Sequence, residues 1–201
     1  MADVVKVCEH VAGDAQKIGA GENFVLSGGT ITKTLHSKSE VDFYEEYIRA
    51  IKNIATKPRI TFEVNARPRE EVQRYKDAGA DHIHFNMEVW DKTLFPWINP
   101  GKAERVGWDN WVRWMEDAVE VFGNGMVQPS FVSGVEMARP HGFNTVEEAV
   151  KSMTSGFEYL MSRGIFPRPQ QWRREPSTAL CKEAEQPPVP LDYYILMTRT
   201  W

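Results

Sequence analysis

The sequence predicts an α/β protein built from repeating strand and helix units, which we interpret as a partial TIM-like (β/α) barrel with parallel strands. Short, β-branched apolar runs alternate with amphipathic helical stretches along the 201 residues. The segments between successive strands are long enough for the crossover helix that parallel strands require. Alternation of this kind places helices outside a parallel sheet.

Overall charge and composition exclude several classes of partner. Lys and Arg total 24 against 28 Asp and Glu, which gives a formal net charge of −4. A mildly acidic chain has no general attraction to nucleic acid or to anionic membranes. No apolar stretch reaches the roughly 18 residues that suggest a transmembrane helix, and the first residues lack a signal-peptide pattern. We therefore expect a cytoplasmic protein that binds neither nucleic acid nor a membrane.

The first third of the chain predicts a helix, a strand and a second helix. Residues 3–18 have an apolar helical face made of Val4, Val7, Cys8 and Val11. This helix is expected to end at the glycine-rich residues 19–21, Gly19-Ala20-Gly21. Residues 24–27 form a short apolar run that suits a buried strand opening into a tight turn. Ser39, with Asp42 three residues later, resembles a capping box and predicts the start of the next helix.

The middle of the chain continues the alternation. Residues 59–65 alternate and are β-branched, so they predict a strand. Pro68 suits a first helical turn, and that helix should run to about residue 78. Residues 82–88 predict another strand, residues 91–107 an ordered excursion, and residues 108–122 a helix with an apolar stripe.

The last part of the chain predicts two more strands around one helix. Residues 126–133 are expected to form a strand, and Asn144 with Glu147 is typical of a helix start. A short last strand is expected at residues 164–167. We divide the chain into a barrel-like body at residues 1–180 and a Pro-rich carboxy-terminal arm at residues 181–201, with an apolar run at residues 191–197 that should be buried.

Polar residues follow the predicted strands, and the carboxyl ends of parallel strands are where ligands bind. Each group also has an ordinary structural interpretation: a Gly-Gly pair can be a turn, a polar strand end can face solvent, and Glu136 can pair with Arg139. His84, Asn86 and Glu88 alternate along one strand, so their side chains are expected to point toward one cavity. The strand-end residues are Gly28, Gly29, Thr30, Glu63, Asn65, Asn86, Glu88, Ser133, Gly134 and Glu136.

Taken in order, these strand ends resemble the radical S-adenosylmethionine (radical SAM) enzymes, in particular the branch of biotin synthase and lipoyl synthase. The segment 26–30 resembles the family motif that contacts the methionine amino group, with Thr30 in place of the usual acidic residue. Asn86 and Glu88 are similar to the element that binds the ribose hydroxyls. The segment 132–136, with Ser133, Gly134 and Glu136, is similar to the one near the adenine and methionine. The resemblance covers residues 3–180.

The resemblance implies a cofactor and a reaction. It implies S-adenosylmethionine bound through Gly28, Gly29, Thr30, Asn86, Glu88, Ser133, Gly134 and Glu136. In this family a reduced [4Fe–4S] cluster passes an electron to the sulfonium, and the resulting 5′-deoxyadenosyl radical abstracts a hydrogen from a substrate. It further implies a small-molecule or cofactor-precursor substrate, the transferase chemistry of that branch and a metal-binding protein.

One feature departs from the family pattern. The cluster is held by a C-x-x-x-C-x-x-C motif after the first strand, whereas the chain has two cysteines, Cys8 and Cys181, in no such motif. A strand before the first helix is not predicted either. A barrel without its first strand would leave an unpaired edge, so we expect another chain or the tail to cover it. We also expect this chain alone to be inactive.

Two other interpretations of the function stay open. A non-radical barrel lyase or aldolase would use Glu63, His84 or Glu88 as acid and base, and a non-catalytic scaffold or partner subunit would keep the fold without the cluster. His82 and His84 suggest a metal site only weakly, since no third ligand is placed by the sequence. A local basic cluster could contact a phosphate or carboxylate of a substrate, but we interpret it as solvated surface; it consists of Arg163, Arg168, Arg173 and Arg174.

Overall fold

The computed structural model describes residues 1–19, 21 and 23–200. Helices and strands alternate along the chain as predicted. In chain order the elements are α1 (Ala2–Lys17), β1 (Asn23–Ser27), α2 (Glu40–Lys52), β2 (Arg59–Glu63), α3 (Arg69–Ala78), β3 (His82–His84), α4 (Phe95–Ile98), α5 (Pro100–Arg105), α6 (Trp108–Phe122), β4 (Ser130–Ser133), α7 (Val146–Met161), β5 (Arg168–Gln171), α8 (Ala179–Glu183) and α9 (Leu191–Thr200).

The five strands found in the described residues are parallel and follow the chain order. β1 pairs with β2, β2 with β3, and β4 with β5. Two isolated parallel bridges, Ile83 to Val127 and Glu88 to Phe131, connect the first group to the second. The backbone hydrogen bond from Met87 N to the Ser130 carbonyl, 3.0 Å long, belongs to this connection. The predicted α/β class with parallel strands is therefore confirmed.

One face of the sheet packs against helices and the other carries polar side chains. Phe62 of β2 contacts Tyr44 of α2 and Tyr75 of α3, and Phe131 of β4 contacts Phe157 of α7. Side chains alternate between the two faces along a strand, so the strand neighbours of Phe62 and Phe131 point to the opposite face of the sheet. We call that second surface the polar face; its residues include Thr61, Glu63, His84, Ser130 and Arg168.

Several element boundaries differ from those predicted. The last strand lies at Arg168–Gln171 rather than at residues 164–167, and helix α7 is capped by Thr145, whose hydroxyl accepts from Glu148 N, rather than by Asn144. Pro68 precedes α3 as its N-cap instead of occupying its first turn. The predicted strands at 82–88 and 126–133 are shorter, since β3 ends at His84 and β4 begins at Ser130.

Helix α1 presents a different face to the core than predicted. Cys8 and Ala12 are buried, while Val4, Val7 and Val11 are exposed. Of the predicted apolar face, Cys8 is buried as expected, whereas the three valines form an exposed stripe. Ala20, part of the predicted glycine-rich terminator, lies outside the described residues.

The carboxy-terminal arm forms helices that pack on the body. Helix α9 lies against α7 and buries Tyr193 and Met197. The division into a body and an arm remains a prediction, and Trp201, the arm's last residue, lies outside the described part of the chain. None of the helices seen in the described residues is both long enough and apolar enough to cross a membrane.

Candidate functional site

A polar cleft lies at the carboxyl ends of β1, β2 and β3. Its cavity of about 130 Å³ borders a second cavity of about 420 Å³, and both are lined by Thr30, Glu40 and Asn65. Parallel strands end at one edge of a sheet, which explains why polar residues distant in the sequence meet here. The residues of the first cavity are Ser27, Gly28, Thr30, Glu40, Tyr44, Glu63, Val64, Asn65, Asn86, Glu88 and Lys102.

The Gly28-Gly29 turn is closed by Tyr44 from α2. The Tyr44 hydroxyl donates to the Gly29 carbonyl at 3.0 Å. A Cβ atom added at Gly28 would lie 2.3 Å from that hydroxyl, whereas one at Gly29 would have nothing within 4 Å. Burial raises the pKa of Tyr44, with a further contribution from the negative charge of Glu40. Gly28 is thus required by packing, and Gly29 is the glycine with free space beside it.

Asn86 and Glu88 line the cleft with their side chains already engaged. The Asn86 Oδ1 atom accepts from Ser130 N at 3.0 Å and so joins β3 to β4, which leaves its amide NH2 group for other partners. The Glu88 carboxylate pairs with Lys102 at 2.6 Å, and the same ammonium donates to the Asn86 carbonyl.

Glu88 has a left-handed backbone conformation, with φ of 68°. Residues other than glycine rarely adopt this conformation, and such strain is concentrated at functional sites. Of the three residues predicted to share one cavity, Asn86 and Glu88 line the cleft and His84 does not, because the strand ends at His84 and its alternation does not continue.

The other predicted binding residues, Ser133, Gly134 and Glu136, lie at the end of β4 and outside this cleft. Gly134 has φ of 100°, and a Cβ there would lie 2.8 Å from the Val189 side chain, so the arm packs directly on it. Ser133 lines a separate cavity of about 310 Å³ with Tyr194 and Met197 of α9. The eight predicted residues are therefore found in two places.

Glu136 is a buried carboxyl group held by α9. The Tyr193 hydroxyl donates to Glu136 Oε1, and Gly134 N donates to Oε2 at 3.1 Å. Burial raises the pKa of Glu136 to about 7, although both hydrogen bonds oppose the shift. Burial likewise raises the pKa of Tyr193 far above its usual value, and the neighbouring Glu136 adds to this. Through its hydrogen bond with Tyr193, Glu136 anchors the arm to the body.

A second polar cluster lies on the polar face, directly below the cleft. His84 Nδ1 is 3.2 Å from Glu63 Oε1, and the Arg168 guanidinium is 3.3 Å from His84 Nδ1. The His84 side chain is buried, and burial lowers its pKa, with the Glu63 contact opposing the effect. Glu63 belongs both to this cluster and to the cleft.

The residues of this chain do not fit an iron–sulfur cluster. Cys8 is buried on α1 and Cys181 lies on α8. Among the described residues there is no group of three or more His, Cys, Asp or Glu side chains arranged to hold a metal ion. No step of a cluster-dependent reaction is therefore assigned to these residues.

Among the polar residues of these two sites, sequence reasoning missed Glu40, Tyr44 and Lys102 and assigned Arg168 to the surface. Glu40 and Tyr44 lie one turn apart on α2. The apolar periodicity of this helix predicted which side packs on the core, but it gave no sign that these two side chains reach the cleft. Lys102 lies in the segment 91–107, which was predicted only as an ordered excursion. Arg168 was assigned to a solvated basic cluster because the last strand was placed four residues too early; in the structure it lies on the polar face against His84.

Comparisons with known proteins give no match to any family model. One curated relative, bacteriochlorophyllide c C-7(1)-hydroxylase of Chlorobaculum limnaeum, is 28% identical over 99 residues, which are 49% of this chain and 22% of the relative.

Two solved structures share the fold. HydG, a maturase of the [FeFe]-hydrogenase, matches 98% of this chain and 42% of its own with a TM-score of 0.67 and 13% identity. Methylornithine synthase (PylB) matches 96% of this chain and 51% of its own with a TM-score of 0.66 and 15% identity. The chain thus spans about half of these structures or less.

The two solved structures share the fold of this chain, and the family that the strand ends resemble stays a prediction. At such low identity the two solved structures establish the fold alone. They do not distinguish the biotin synthase and lipoyl synthase branch, which stays a prediction.

Proposed function

We propose that this chain is the S-adenosylmethionine-binding body of a radical SAM enzyme. The observation that carries the proposal is the polar cleft at the carboxyl ends of β1, β2 and β3, in a fold shared with HydG and methylornithine synthase. Such strand ends are the ligand-binding edge of α/β folds. We further place it in the branch of biotin synthase and lipoyl synthase, with a small-molecule or cofactor-precursor substrate.

The cleft offers hydrogen-bonding groups of the kinds that an amino acid and a ribose need. The backbone at Gly29 is open to a ligand, and the Asn86 amide NH2 group is a free donor. The Glu88 carboxylate would accept from hydroxyl or ammonium groups after exchanging its Lys102 contact. Thr30 adds a hydroxyl that already accepts from Asn65 at 2.9 Å.

Ser133, Gly134 and Glu136 belong to the proposed site through the family resemblance, and their present contact with α9 would have to open for them to reach the cofactor. When bound in a complete enzyme, S-adenosylmethionine supplies the radical. The residues named here only hold and orient it. Because the cluster ligands are not among them, we propose that the chain is inactive alone.

We also propose that the sheet is part of a barrel completed by another chain or segment. In the described residues, β1 and β5 each pair with a strand on one side only. An unpaired edge favours pairing with additional β-structure. Val25 on β1 is exposed, as expected for a strand that lacks a covering layer.

The proposal is tested by isothermal titration with S-adenosylmethionine. We expect saturable binding to the unmodified chain and at least about tenfold weaker binding to Glu88→Gln, since a hydrogen bond to a charged group contributes about 1.5–3 kcal/mol. Glu104→Gln is the matched control, because it makes the same change on an exposed carboxylate of α5. Asn86→Ala is less suitable because Asn86 also joins β3 to β4.

Two results would count against the cleft as the cofactor site. One is no saturable heat with the unmodified chain at millimolar cofactor. The other is saturable binding that Glu88→Gln and Glu104→Gln leave equally unchanged. Retained folding of each variant is checked by its thermal unfolding midpoint.

A second candidate is a non-radical lyase or aldolase, which the Glu63–His84 contact of 3.2 Å favours. A carboxylate that orients a neutral imidazole is a common acid–base arrangement. This function needs neither iron nor S-adenosylmethionine, so activity in a metal-free preparation that His84→Gln abolishes would favour it over the first.

A further inference from the structure

Arg168, His84 and Glu63 form a row across three strands of the polar face. Glu63 ends β2, His84 ends β3 and Arg168 begins β5. The Glu63 carboxylate lies 3.2 Å from His84 Nδ1, and the Arg168 guanidinium lies 3.3 Å and 3.5 Å from the two ring nitrogens. A negative and a positive side chain therefore both contact this imidazole, each closest to Nδ1.

His84 in this row acts as a neutral support. It is 1% exposed, and burial lowers its pKa, so the ring is uncharged at neutral pH. A carboxylate only accepts hydrogen bonds, so the Glu63 contact places the ring proton on Nδ1. The Arg168 Nη1 atom is almost equally distant from the two ring nitrogens, so the guanidinium lies over the ring face and packs on the neutral imidazole. His84 thus holds Arg168 without neutralising its charge.

The Arg168 charge lacks a carboxylate partner. No Asp or Glu among the described residues lies within the 4.0 Å that defines an ion pair with it, whereas Arg67, Arg74 and Arg163 each have one. Arg168 is half-buried. A partly desolvated guanidinium has five N–H donors and favours an anion beside it. The imidazole contacts one nitrogen of the guanidinium, so the other N–H groups are available to bind an anion.

We propose that Arg168 is the anchor of a carboxylate-binding subsite on the polar face, positioned by His84 and Glu63. The planar guanidinium matches a carboxylate in a two-point contact. The negative Glu63, which contacts the same imidazole, disfavours a second ligand charge, so the subsite selects a monocarboxylate over a phosphate dianion. Gln170 lies two residues along the same strand face and donates to Ser130 Oγ at 3.0 Å.

This subsite is next to the cleft, because Glu63 belongs to both. A molecule anchored by its carboxylate at Arg168 would extend toward the carboxyl ends of the strands. Calling that molecule the substrate rests on the proposed function, whereas the binding of a carboxylate does not.

The test is a titration followed by NMR of the arginine Nε–H signals in ¹⁵N-labelled protein, with benzoate as the probe. The Arg168 signal is assigned from the spectrum of Arg168→Lys. We expect saturable benzoate-dependent shifts of this signal and at least tenfold weaker binding to Arg168→Gln. Benzamide, the neutral analogue, and inorganic phosphate at equal concentration should produce no saturable shift.

Arg173→Gln is the matched control, since it removes an exposed arginine just beyond β5 and should leave benzoate binding unchanged. Arg168→Lys keeps the charge but loses the two-point contact, so it should bind benzoate more weakly than the parent. If Arg168→Gln does not fold, the comparison of benzoate with benzamide on the parent protein decides the question.

The proposal is overturned if the Arg168 signal does not respond to benzoate, responds equally to benzamide, or responds to phosphate more strongly. Its failure is distinct from that of the proposed function, because Arg168 does not line the cleft. S-adenosylmethionine binding should therefore survive Arg168→Gln. Benzoate binding without S-adenosylmethionine binding would leave the subsite standing and remove the cofactor assignment.

Discussion

At the scale of single residues, the cleft depends on positions where the backbone leaves little choice of side chain. Gly28 lies under the Tyr44 hydroxyl, and Glu88 has a left-handed backbone that costs of order 1–3 kcal/mol. The two glycines of the turn looked alike in the sequence. The structure separates them, because one is fixed by packing and the other has free space beside it.

Gly28→Ala should lower the free energy of unfolding by about 1–3 kcal/mol, since the new Cβ would overlap the hydroxyl of Tyr44, whose side chain is buried. Gly29→Ala is the matched control and should change stability by less. In a Tyr44→Phe background the cost of Gly28→Ala should shrink, because the clashing hydroxyl is gone. Urea unfolding of the four variants measures this; an equal effect of the two alanines would contradict the packing argument.

At the scale of elements, a buried acid just beyond β4 is one of the contacts that hold the arm on the body. Helix α9 delivers Tyr193 to Glu136, and the preceding segment places Val189 against Gly134. The predicted cofactor residues at the end of β4 therefore face the arm. Opening of α9 is the movement that would expose them.

Glu136 should make stability depend on pH. Its folded pKa of about 7 lies above the ordinary value of 4.5, so the folded state binds the proton more tightly than the unfolded state. The stabilisation is complete below about pH 4.5 and is lost as the pH rises through about 7, a change of about 3 kcal/mol. Thermal unfolding between pH 5 and 8 should show this fall.

Glu136→Gln should flatten that profile, because the amide stays neutral and can keep both hydrogen-bond partners. Glu104→Gln changes an exposed carboxylate and should leave the slope as it is. A parent protein whose stability rises from pH 5 to pH 7, or a slope that survives Glu136→Gln, would refute the assignment.

The elements also show which parts of the site the sequence could predict. Helices α2 and α6 were predicted from their apolar periodicity. The predicted Ser39 cap was confirmed, since its hydroxyl accepts a hydrogen bond from Asp42 N. Short strands were harder, because β5 reads Arg-Pro-Gln-Gln and has no apolar alternation. Its misplacement is the reason that Arg168 was assigned to the surface. Contacts such as Lys102 to Glu88 depend on the path of a loop, which residue patterns do not determine.

At the scale of the whole molecule, the alternation of strands and helices was enough to predict the parallel sheet and the edge at which polar residues gather. It was not enough to predict which strand ends meet. The ends of β1, β2 and β3 share one cleft, while the end of β4 is covered by α9. Tertiary packing of the arm decided this, and it involves residues more than 50 positions away from β4.

The exposed stripe on α1 leads to a prediction for the whole molecule. Val4, Val7 and Val11 lie on one side of the helix and are 38%, 61% and 47% exposed. An apolar stripe on an otherwise amphipathic helix favours association, as does the unpaired edge of β1. We therefore expect the chain to self-associate at high micromolar concentration, with a concentration-dependent sedimentation coefficient.

Replacing Val7 and Val11 by Lys should shift this equilibrium toward the monomer, because both charges would be buried without partners in the associated state. Gln16→Lys adds a charge at an exposed position of the same helix and should change association less. Since the replaced valines are exposed, the unfolding midpoint should stay close to that of the parent. If sedimentation velocity gives the same concentration dependence for the double variant and the parent, α1 is not an association surface, and the unpaired edge of β1 becomes the next surface to change.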